Sequence, residues 1–378
     1  MGTTPVVYHP GYLRYSFGPQ HPFSPLRLEI LLDLLASLGH PANFHAPPQA
    51  TREDVLSVHA ERFVRRVEAA SQGEEPSDLV HYGLGTGDTP VFPGMDDAAR
   101  WLVGGALEAA RLVVGGAREV LHLGGGLHHA QHDQASGFCV YNDLSVAIRH
   151  LTKAGMRVAY LDVDVHHGDG VQWIHYDEAE VLTLSFHESG RYLFPGTGAV
   201  HEIGRGAGVG RKLNVPLEPF TEGESYLEVF QQVSEAALSW FRPDALVIQC
   251  GSDAHFQDPL AELLLTTHTY AKVFPLLRQY ARDFAGGRAI FTLGGGYSFD
   301  AAVRVWALLY HVLQDLPLPD TLPQDWQDRW TPRLREPLSP TLHDPDRCYP
   351  EIPRKPQIEQ HNRQIARRLL ETVQPYWK

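Results

Sequence analysis

Apolar and polar positions follow two periodicities along the chain, and these predict strands and helices in alternation. Short apolar runs, rich in β-branched residues and bounded by Gly or polar clusters, predict buried strands. They lie at residues 6–8, 119–123, 157–165, 181–186, 245–249 and 289–293. Helical periodicity spans residues 24–38, 95–114, 144–154, 224–241, 267–284 and 300–313. The alternation predicts an α/β fold whose mostly parallel sheet is covered by helices on both faces.

The chain beyond about residue 317 has a different pattern. It is rich in Pro, Asp and Arg, and within it only residues 357–373 show helical periodicity. The 378 residues contain no internal repeat, so one domain is the simplest organisation. We expect a main domain over residues 1–316 and a C-terminal extension over residues 317–378, either packed on the domain or partly mobile.

Composition and charge narrow the classes of partner. Hydrophobic residues make up 43% of the chain and charged residues 20%, as in ordinary globular proteins. The formal net charge of −13 argues against nucleic-acid binding, which depends on Lys and Arg. It favours cationic partners such as lysine-rich tails or polyamines at long range, although an acidic surface also serves solubility alone.

The location expected from the sequence is the cytoplasm. The three cysteines lie far apart in no CxxC pattern, which fits a reducing compartment. Residues 1–10 lack the features of a signal peptide. The most apolar long stretch, residues 101–121, is interrupted by Glu108, Arg111 and Arg118. It therefore does not match a membrane span of about 20 apolar residues, and we expect no membrane partner.

Clusters of Gly, His, Asp and Tyr follow four of the predicted strands. They occupy residues 124–129, 162–169, 250–253 and 294–297. In open parallel sheets, ligands bind outside the carboxyl ends of the strands. We therefore expect four strand ends to bring these side chains to one edge of the sheet.

One of these clusters has the pattern of a metal site. Asp162, Asp164 and His166 alternate with valines, so on a strand they would all face the same side. A divalent cation would satisfy such a group of polar side chains, and Asp253 from another strand would complete a three-ligand site. Zinc is the predicted ion, and Fe²⁺ or Co²⁺ also suits oxygen-rich ligation. For the Asp-x-Asp-x-His pattern by itself, a hydrogen-bond network without metal is the alternative.

Five motifs, in order along the chain, resemble those of the histone deacetylase superfamily. Two further stretches resemble the bacterial acetoin-utilization deacetylases in particular: Phe-Gly-Pro-Gln-His-Pro at 17–22 and the Gly-rich residues 82–95. The resemblance extends from about residue 8 to residue 313, and it implies an arginase/deacetylase-like three-layer sandwich. The five motifs are Gly-Gly-Leu-His-His-Ala at 125–130 followed by residues 135–143, Tyr-Leu-Asp-Val-Asp-Val-His-His-Gly-Asp-Gly at 160–170, Phe-Pro-Gly-Thr-Gly at 194–198, Gly-Ser-Asp at 251–253 and Gly-Gly-Gly-Tyr at 294–297.

Two positions depart from the pattern of this superfamily. Leu293 stands where the first of four glycines is usual, and we expect it to stiffen or narrow the loop that follows. Ser252 replaces the usual Ala and leaves the ligand Asp253 in place.

The resemblance implies a role for each histidine of the His-His pair. The bound metal would polarise an acetyl carbonyl and lower the pKa of bound water. His129 would act as general base and then protonate the leaving amine, while His128 shares the proton work or tunes the electrostatics. Asp162 is expected to orient His128, and Asp169 to orient His129.

Other residues are assigned by the resemblance to the oxyanion, the substrate and a second ion. Tyr297 would donate its hydroxyl to the developing oxyanion. Gly137, Phe138 and Phe194 would line a narrow channel for the substrate stem, and Asp88 would grip substrate amides at the rim. A structural potassium ion is implied, held largely by backbone carbonyls at Asp162, Asp164, His166, Ser185 and Phe186.

The predicted activity is the metal-dependent removal of acetyl groups from acetylated lysine side chains of proteins. Removal of acetyl groups from polyamines is the first alternative. An arginase-type ureohydrolase with two manganese ions shares the fold, and Asp258 is a faint indication of a bridging carboxylate, but the His128–His129 pair counts against it. A catalytically inactive scaffold would have lost a catalytic residue, and none of the expected ones is missing.

Overall fold

Seven parallel strands form one sheet in the computed structural model, which describes residues 3–40, 43–334 and 336–377. Their order is β1-β2-β7-β6-β3-β4-β5, and every neighbouring pair is parallel. The predicted parallel α/β sheet is confirmed. The strands are β1 (Val6–Val7), β2 (Glu119–His122), β3 (Val158–Asp162), β4 (Val181–Glu188), β5 (Lys212–Leu217), β6 (Ala245–Gln249) and β7 (Ala289–Thr292).

Seven helices begin and end within two residues of the predicted bounds. The 11-residue helix Glu61–Ser71 was not predicted. The helices Arg52–Leu56, Asp169–Ile174 and Gln324–Trp330 were missed because segments of 5, 6 and 7 residues are too short to show a periodicity. Within the described residues, no helix has the length and hydropathy of a membrane span. The helices are α1 (Leu26–Ser37), α2 (Arg52–Leu56), α3 (Glu61–Ser71), α4 (Met95–Val114), α5 (Asp143–Lys153), α6 (Asp169–Ile174), α7 (Gly223–Phe241), α8 (Thr267–Phe284), α9 (Phe299–Leu313), α10 (Gln324–Trp330) and α11 (Lys355–Val373).

The edge strand β5 was not predicted, because its sequence contains Pro216 and two polar residues. A proline cannot donate to a ladder hydrogen bond, so it argues against a central strand. In the structure β5 pairs with β4 alone, and an edge tolerates the proline. Lys212 is buried there, and its Nζ donates to the Val181 carbonyl oxygen at 2.5 Å.

Side chains of the central strands divide the core between the two faces of the sheet. On β6, Leu246 and Ile248 contribute to one apolar cluster and Val247 to the other. Helices α4, α5 and α6 cover the Val247 face, while α7, α8 and α9 cover the opposite face. The result is a helix–sheet–helix sandwich.

The C-terminal residues beyond 317 contact the main domain at α1 and just before α7. Trp326 of α10 donates its indole N–H to the Ile30 carbonyl of α1 at 3.2 Å. Asn362 of α11 donates to Thr221 Oγ1 at 2.8 Å, just before α7. Both residues are buried, so water is excluded where the C-terminal residues contact the main domain.

Candidate active site

The four strand ends that carry the polar clusters are neighbours in the sheet. Strands β2, β7, β6 and β3 lie side by side, in that order. Because all four are parallel, their carboxyl ends lie at the same edge. Residues 124–129, 294–297, 250–253 and 162–169 therefore meet there.

Asp164, His166 and Asp253 form a buried cluster at the centre of this edge. One ligand atom from each lies within 4.8 Å of the other two. His166 Nδ1 is 3.2 Å from Asp164 Oδ1 and 3.1 Å from Asp253 Oδ2. The buried carboxylates of Asp164 and Asp253 thus both lie against the same nitrogen of His166. That nitrogen carries at most one hydrogen, which the two carboxylates must share. One imidazole and two carboxylates match the donor set of a three-ligand divalent cation site, so the residues fit a metal.

The expectation that the metal cluster continues a strand is wrong. Strand β3 ends at Asp162, and Asp164 and His166 lie in the loop that follows. Asp162 Oδ1 accepts the Asp164 N–H, and Asp164 Oδ1 accepts the His166 N–H, each at 3.1 Å. In each of these turns, a carboxylate accepts the backbone N–H two residues further along the chain. Such turns bend the backbone, so Asp164 and His166 lie in a loop and not in an extended strand.

Burial and the charges of neighbouring side chains shift the pKa values of the three cluster residues in different ways. Burial and the charge of Asp164 raise the pKa of Asp253 to about 8. Burial also acts to raise the pKa of Asp164, but the charges of His128 and His166 outweigh it and hold that pKa well below its usual range. Burial lowers the pKa of His166, and its bonds to the two aspartates raise it overall. The cluster without metal therefore holds protons that a cation would displace.

His128 and His129 each place Nδ1 on a separate carboxylate. His128 Nδ1 is 2.8 Å from Asp162 Oδ2, and His129 Nδ1 is 2.6 Å from Asp169 Oδ1. All four side chains are buried. Because Nδ1 is engaged, Nε2 is the nitrogen of each ring that remains for proton transfer.

The two histidines have opposite electrostatic environments. Burial alone lowers the pKa of His128, but the charges of Asp162 and Asp164 outweigh it and raise that pKa to about 9. At His129, burial and the neighbouring charges of His128 and His166 hold the pKa well below its usual value. One ring of the pair therefore favours the charged form and the other the neutral form.

Tyr297 lies beside the metal cluster and near Phe138. Its ring centroid is 6.5 Å from that of His166 and 5.6 Å from that of Phe138. Burial and the charges of Asp253 and Asp164 raise the pKa of Tyr297 well above its ordinary value. The hydroxyl therefore stays protonated and can donate a hydrogen bond.

The loop that carries Tyr297 is anchored on both sides. The Tyr297 N–H donates to Asp258 Oδ2 at 2.7 Å, and Arg27 donates to the Gly296 carbonyl at 2.8 Å. Leu293, the departure from the glycine pattern, is buried and lines a cavity of about 40 Å³ beside Arg27. The expected stiffening or narrowing of the loop by Leu293 stays a prediction.

Phe138 and Phe194 flank the site from two sides. The Phe194 ring lies 5.0 Å from the His129 ring and 6.4 Å from the His166 ring, while Phe138 lies against Tyr297. Phe194 is 44% exposed, so this wall is open to solvent. Each ring therefore packs beside a side chain that the sequence assigns to catalysis, Phe194 beside His129 and Phe138 beside Tyr297.

Asp88 lies against Gly137, the residue before Phe138 in the chain. Asp88 Oδ2 accepts the Gly137 N–H at 2.7 Å. Gly137 and Phe138 are consecutive residues with φ of 52° and 66°, and the second is costly for a side chain other than Gly. Tyr15 holds this turn by donating its hydroxyl to the Phe138 carbonyl at 2.7 Å.

Ser185 and Phe186 lie on β4, the strand next to β3. Ser185 is paired in register with Asp162. The Ser185 hydroxyl lies 2.8 Å from His187 Nδ1, and the Phe186 ring packs 4.9 Å from that of Phe230. Their side chains are thus engaged with His187 and Phe230. The potassium site stays a prediction.

Gln249 is a site residue that sequence reasoning missed. Its Nε2 donates to Asp164 Oδ2 at 2.7 Å, and its Oε1 accepts the Gly251 N–H at 2.5 Å. A Cβ at Gly251 or Gly295 would overlap the Asp164 carboxylate, so both glycines permit this close approach. The feature of the sequence that could have identified Gln249 is its polar side chain at the end of an otherwise apolar strand.

Each orienting aspartate also has a partner that the sequence did not reveal. The Tyr160 hydroxyl donates to Asp162 Oδ2 at 2.6 Å. Gln131 Nε2 donates to Asp169 Oδ2 at 2.8 Å. Such partners fix the direction in which each carboxylate faces its histidine.

The fold and this constellation of residues agree with a known family. Residues 21–313 match the model of the histone deacetylase domain, and the chain belongs to the histone deacetylase family. Solved structures agree: an HDAC homologue from Aquifex aeolicus superposes with a TM-score of 0.86 at 26% identity, covering 96% of this chain and 100% of that one. An HDAC homologue complexed with SAHA gives the same values. The predicted deacetylase-like sandwich is therefore confirmed.

Two bacterial acetoin utilization proteins are similar to this chain over nearly its whole length. The acetoin utilization protein AcuC of Bacillus subtilis (strain 168) is 40% identical over 373 residues, covering 97% of this chain and 96% of that protein. AcuC of Staphylococcus xylosus is 36% identical over 375 residues, covering 97% of each. The resemblance to the acetoin-utilization deacetylases is confirmed.

Proposed function

We propose that this chain is a metal-dependent deacetylase that hydrolyses the acetyl amide of acetylated lysine side chains in proteins and releases acetate. The observation that carries the proposal is the pair of buried imidazoles, each bonded to its own carboxylate at 2.6–2.8 Å beside the three-residue metal cluster. Membership in the histone deacetylase family and similarity to the AcuC proteins support the same class of reaction.

The resident cation would be held by Asp164, His166 and Asp253. Zn²⁺ is our first choice for two carboxylates and one imidazole, and Fe²⁺ or Co²⁺ is compatible with them. When bound, such an ion polarises the acetyl carbonyl and lowers the pKa of the attacking water. A potassium ion, proposed from the resemblance, would lie at the backbone between β3 and β4.

His129 is our choice for the group that moves the proton. Asp169 engages its Nδ1, so Nε2 takes the proton of the attacking water and then delivers it to the leaving amine. His128 lies near one of the ligands, with Nε2 3.7 Å from Asp164 Oδ1. Its charge would stabilise negative charge that develops at the reacting centre.

Tyr297 would stabilise the oxyanion from the opposite side. Its protonated hydroxyl is the donor that the acetyl oxygen meets as it gains negative charge. The loss of one such donor typically costs about 2.7–4 kcal/mol in the transition state. Asp258 would hold this tyrosine through its backbone N–H, at 2.7 Å, rather than bind a second metal.

A thin aliphatic substrate stem would enter between Phe138 and Phe194. Phe138 and Phe194 would grip the methylene groups of acetyl-lysine between two aromatic rings. At the rim, one oxygen of Asp88 is engaged by Gly137, and the other would accept an N–H of the substrate backbone. The chain's three cysteines are free, which is in keeping with our placement of the enzyme in the cytoplasm.

Acetylated polyamines are the second candidate substrate. A carboxylate at the rim and a formal net charge of −13 would attract a second ammonium group on such a substrate. The binuclear manganese ureohydrolase is less well supported, because both oxygens of Asp258 bind backbone N–H groups of Leu260 and Tyr297.

A direct comparison of substrates tests the proposal. We would measure kcat/KM for an acetyl-lysine peptide, free acetyl-lysine and acetylated polyamines, with wild type, Asp88→Asn and Asp88→Ala. We expect the peptide to be preferred and Asp88→Ala to raise its KM while free acetyl-lysine is little affected. A strong preference for polyamines that Asp88→Asn abolishes would instead establish the second candidate.

A further inference from the structure

The C-terminal extension reaches the active site through one carboxylate. Glu336 lies at the N-terminus of α9, the helix that begins two residues after Tyr297. Its Oε2 accepts the Ser298 hydroxyl at 3.1 Å, and its Oε1 accepts the N–H groups of Phe299 and of Asp300, the latter at 3.2 Å. A single side chain thus binds the three residues that follow Tyr297.

A carboxylate at this position is electrostatically favourable. The first N–H groups of a helix have no partner within the helix, and its N-terminus carries partial positive charge. Ser298, the N-cap residue, accepts the Ala301 N–H at 3.3 Å, and Glu336 supplies acceptors to the first two residues of α9. Because Asp258 binds the Tyr297 N–H, the tyrosine is bracketed by two carboxylates.

A buried ion-pair network holds the extension against α9. Arg304 of α9 donates to Asp300 Oδ2 and to Asp344 Oδ1, each at 2.8 Å. Ser339 donates its N–H to Asp300 Oδ1 at 2.6 Å, and Asp344 Oδ2 lies 2.9 Å from His255 Nε2. Arg304, Asp300 and Asp344 are all buried, so the segment from 336 to 344 has little freedom to move away.

We propose that Glu336 is a positioning residue for Tyr297, so that the C-terminal extension is part of the catalytic unit. This inference rests on the proposed function, in which the Tyr297 hydroxyl stabilises the oxyanion. Glu336 does not touch the reacting atoms. It fixes the start of α9, and through it the backbone from which Tyr297 projects. Small displacements of a catalytic group are costly, about 100-fold for roughly 1 Å.

A double-mutant cycle distinguishes this role from general support of the fold. We would measure kcat, KM and metal content for Glu336→Ala, Tyr297→Phe and the double variant, using an acetyl-lysine peptide. We expect Glu336→Ala to lower kcat about 10- to 100-fold with little change in KM or metal content. In the Tyr297→Phe background, Glu336→Ala should have almost no further effect on kcat. This is expected because the effects of substitutions at residues that act as one unit are not additive. Glu336→Gln keeps an acceptor oxygen and should restore part of kcat.

Asp325→Ala is the matched control. Asp325 is an exposed carboxylate of the same extension that pairs with Arg329 within α10, and its removal should leave kcat unchanged. Equal losses of kcat from Glu336→Ala in both backgrounds, or no loss in either, would overturn the inference and leave the proposed function intact. Near-normal kcat in Tyr297→Phe itself would overturn the proposed role of Tyr297 and this inference together. If Glu336→Ala does not fold, Glu336→Gln carries the same cycle.

Discussion

The His128–Asp162 pair and the His129–Asp169 pair have the same geometry but different surroundings. In both, a buried Nδ1 meets a carboxylate oxygen at 2.6–2.8 Å. His128 lies beside the ligand Asp164, whose charge helps to raise its pKa, whereas burial and neighbouring histidines lower the pKa of His129. In the proposed mechanism, the environment of each histidine, rather than its pairing with an aspartate, would separate the electrostatic role from the general-base role.

The largest expected effect concerns the two histidines themselves. His129→Ala removes the proton carrier and should lower kcat by about 10²- to 10⁴-fold, with metal content unchanged. His128→Ala should cost less, because it removes a charge and not the proton carrier. Steady-state kinetics with metal analysis of both variants would check this order. A larger loss of kcat in His128→Ala than in His129→Ala would assign the general-base role to His128 and the electrostatic role to His129.

Replacement of the orienting aspartates should separate metal binding from catalysis. Asp162 also accepts the Asp164 N–H, so Asp162→Asn disturbs a ligand and should weaken metal affinity by about 10- to 100-fold. Asp169 has no such contact with the cluster among the described residues, and Asp169→Asn should lower kcat while metal stays bound. Metal competition with a chromophoric chelator would measure the difference. Equal affinities in the two variants would show that the two pairs are not distinct in this way.

The raised pKa of His128 predicts a pH-dependent stability of the metal-free protein. The folded-state pKa of about 9 lies above the ordinary 6.5, so protonation of His128 stabilises the fold fully below about pH 6.5. This stabilisation, at most about 3 kcal/mol, is lost as the pH rises through 9. Urea unfolding of metal-free wild type and His128→Gln between pH 6 and 10 should reveal it. Parallel loss of stability in both proteins would mean that His128 is not the titrating group.

The smallest effects are expected at the residues behind the aspartates. Tyr160→Phe removes a donor to Asp162 and should lower metal affinity by up to about tenfold. Gln131→Leu removes a donor to Asp169 and should lower kcat by a similar factor without a change in metal affinity. Both quantities should be measured for both variants. If each variant altered both quantities equally, the environments of the two pairs would not be independent.

The sequence predicted the parallel sheet, seven of the helices and the strand ends that meet at one edge, because these depend on local periodicity and on the direction of parallel strands. It missed the 11-residue helix α3. It missed β5, since Pro216 is tolerated only at an edge and edge position is a property of the whole sheet. It also placed Asp164 and His166 on a strand, although side chain–backbone turns form a loop there.

Within the site, residues with recognisable motifs were predicted and their supporting contacts were not. Gln249 and Tyr160 lie on buried strands, where a polar group gives no indication of its partner. Arg27 and Glu336 reach the Tyr297 loop from positions 269 and 38 residues away in the chain. Contacts of this kind depend on the tertiary fold, which one sequence does not disclose.

The central claim is that one divalent cation, bound at Asp164, His166 and Asp253, is needed for deacetylation. The most direct measurement is acetate release from an acetyl-lysine peptide while Zn²⁺, Fe²⁺ or Co²⁺ is titrated into chelator-treated protein, with Asp253→Asn alongside. We predict that activity is absent without metal, rises to a plateau at one ion per chain and is not restored in Asp253→Asn. Full activity after metal removal, or a plateau reached only at two ions per chain, would contradict the account.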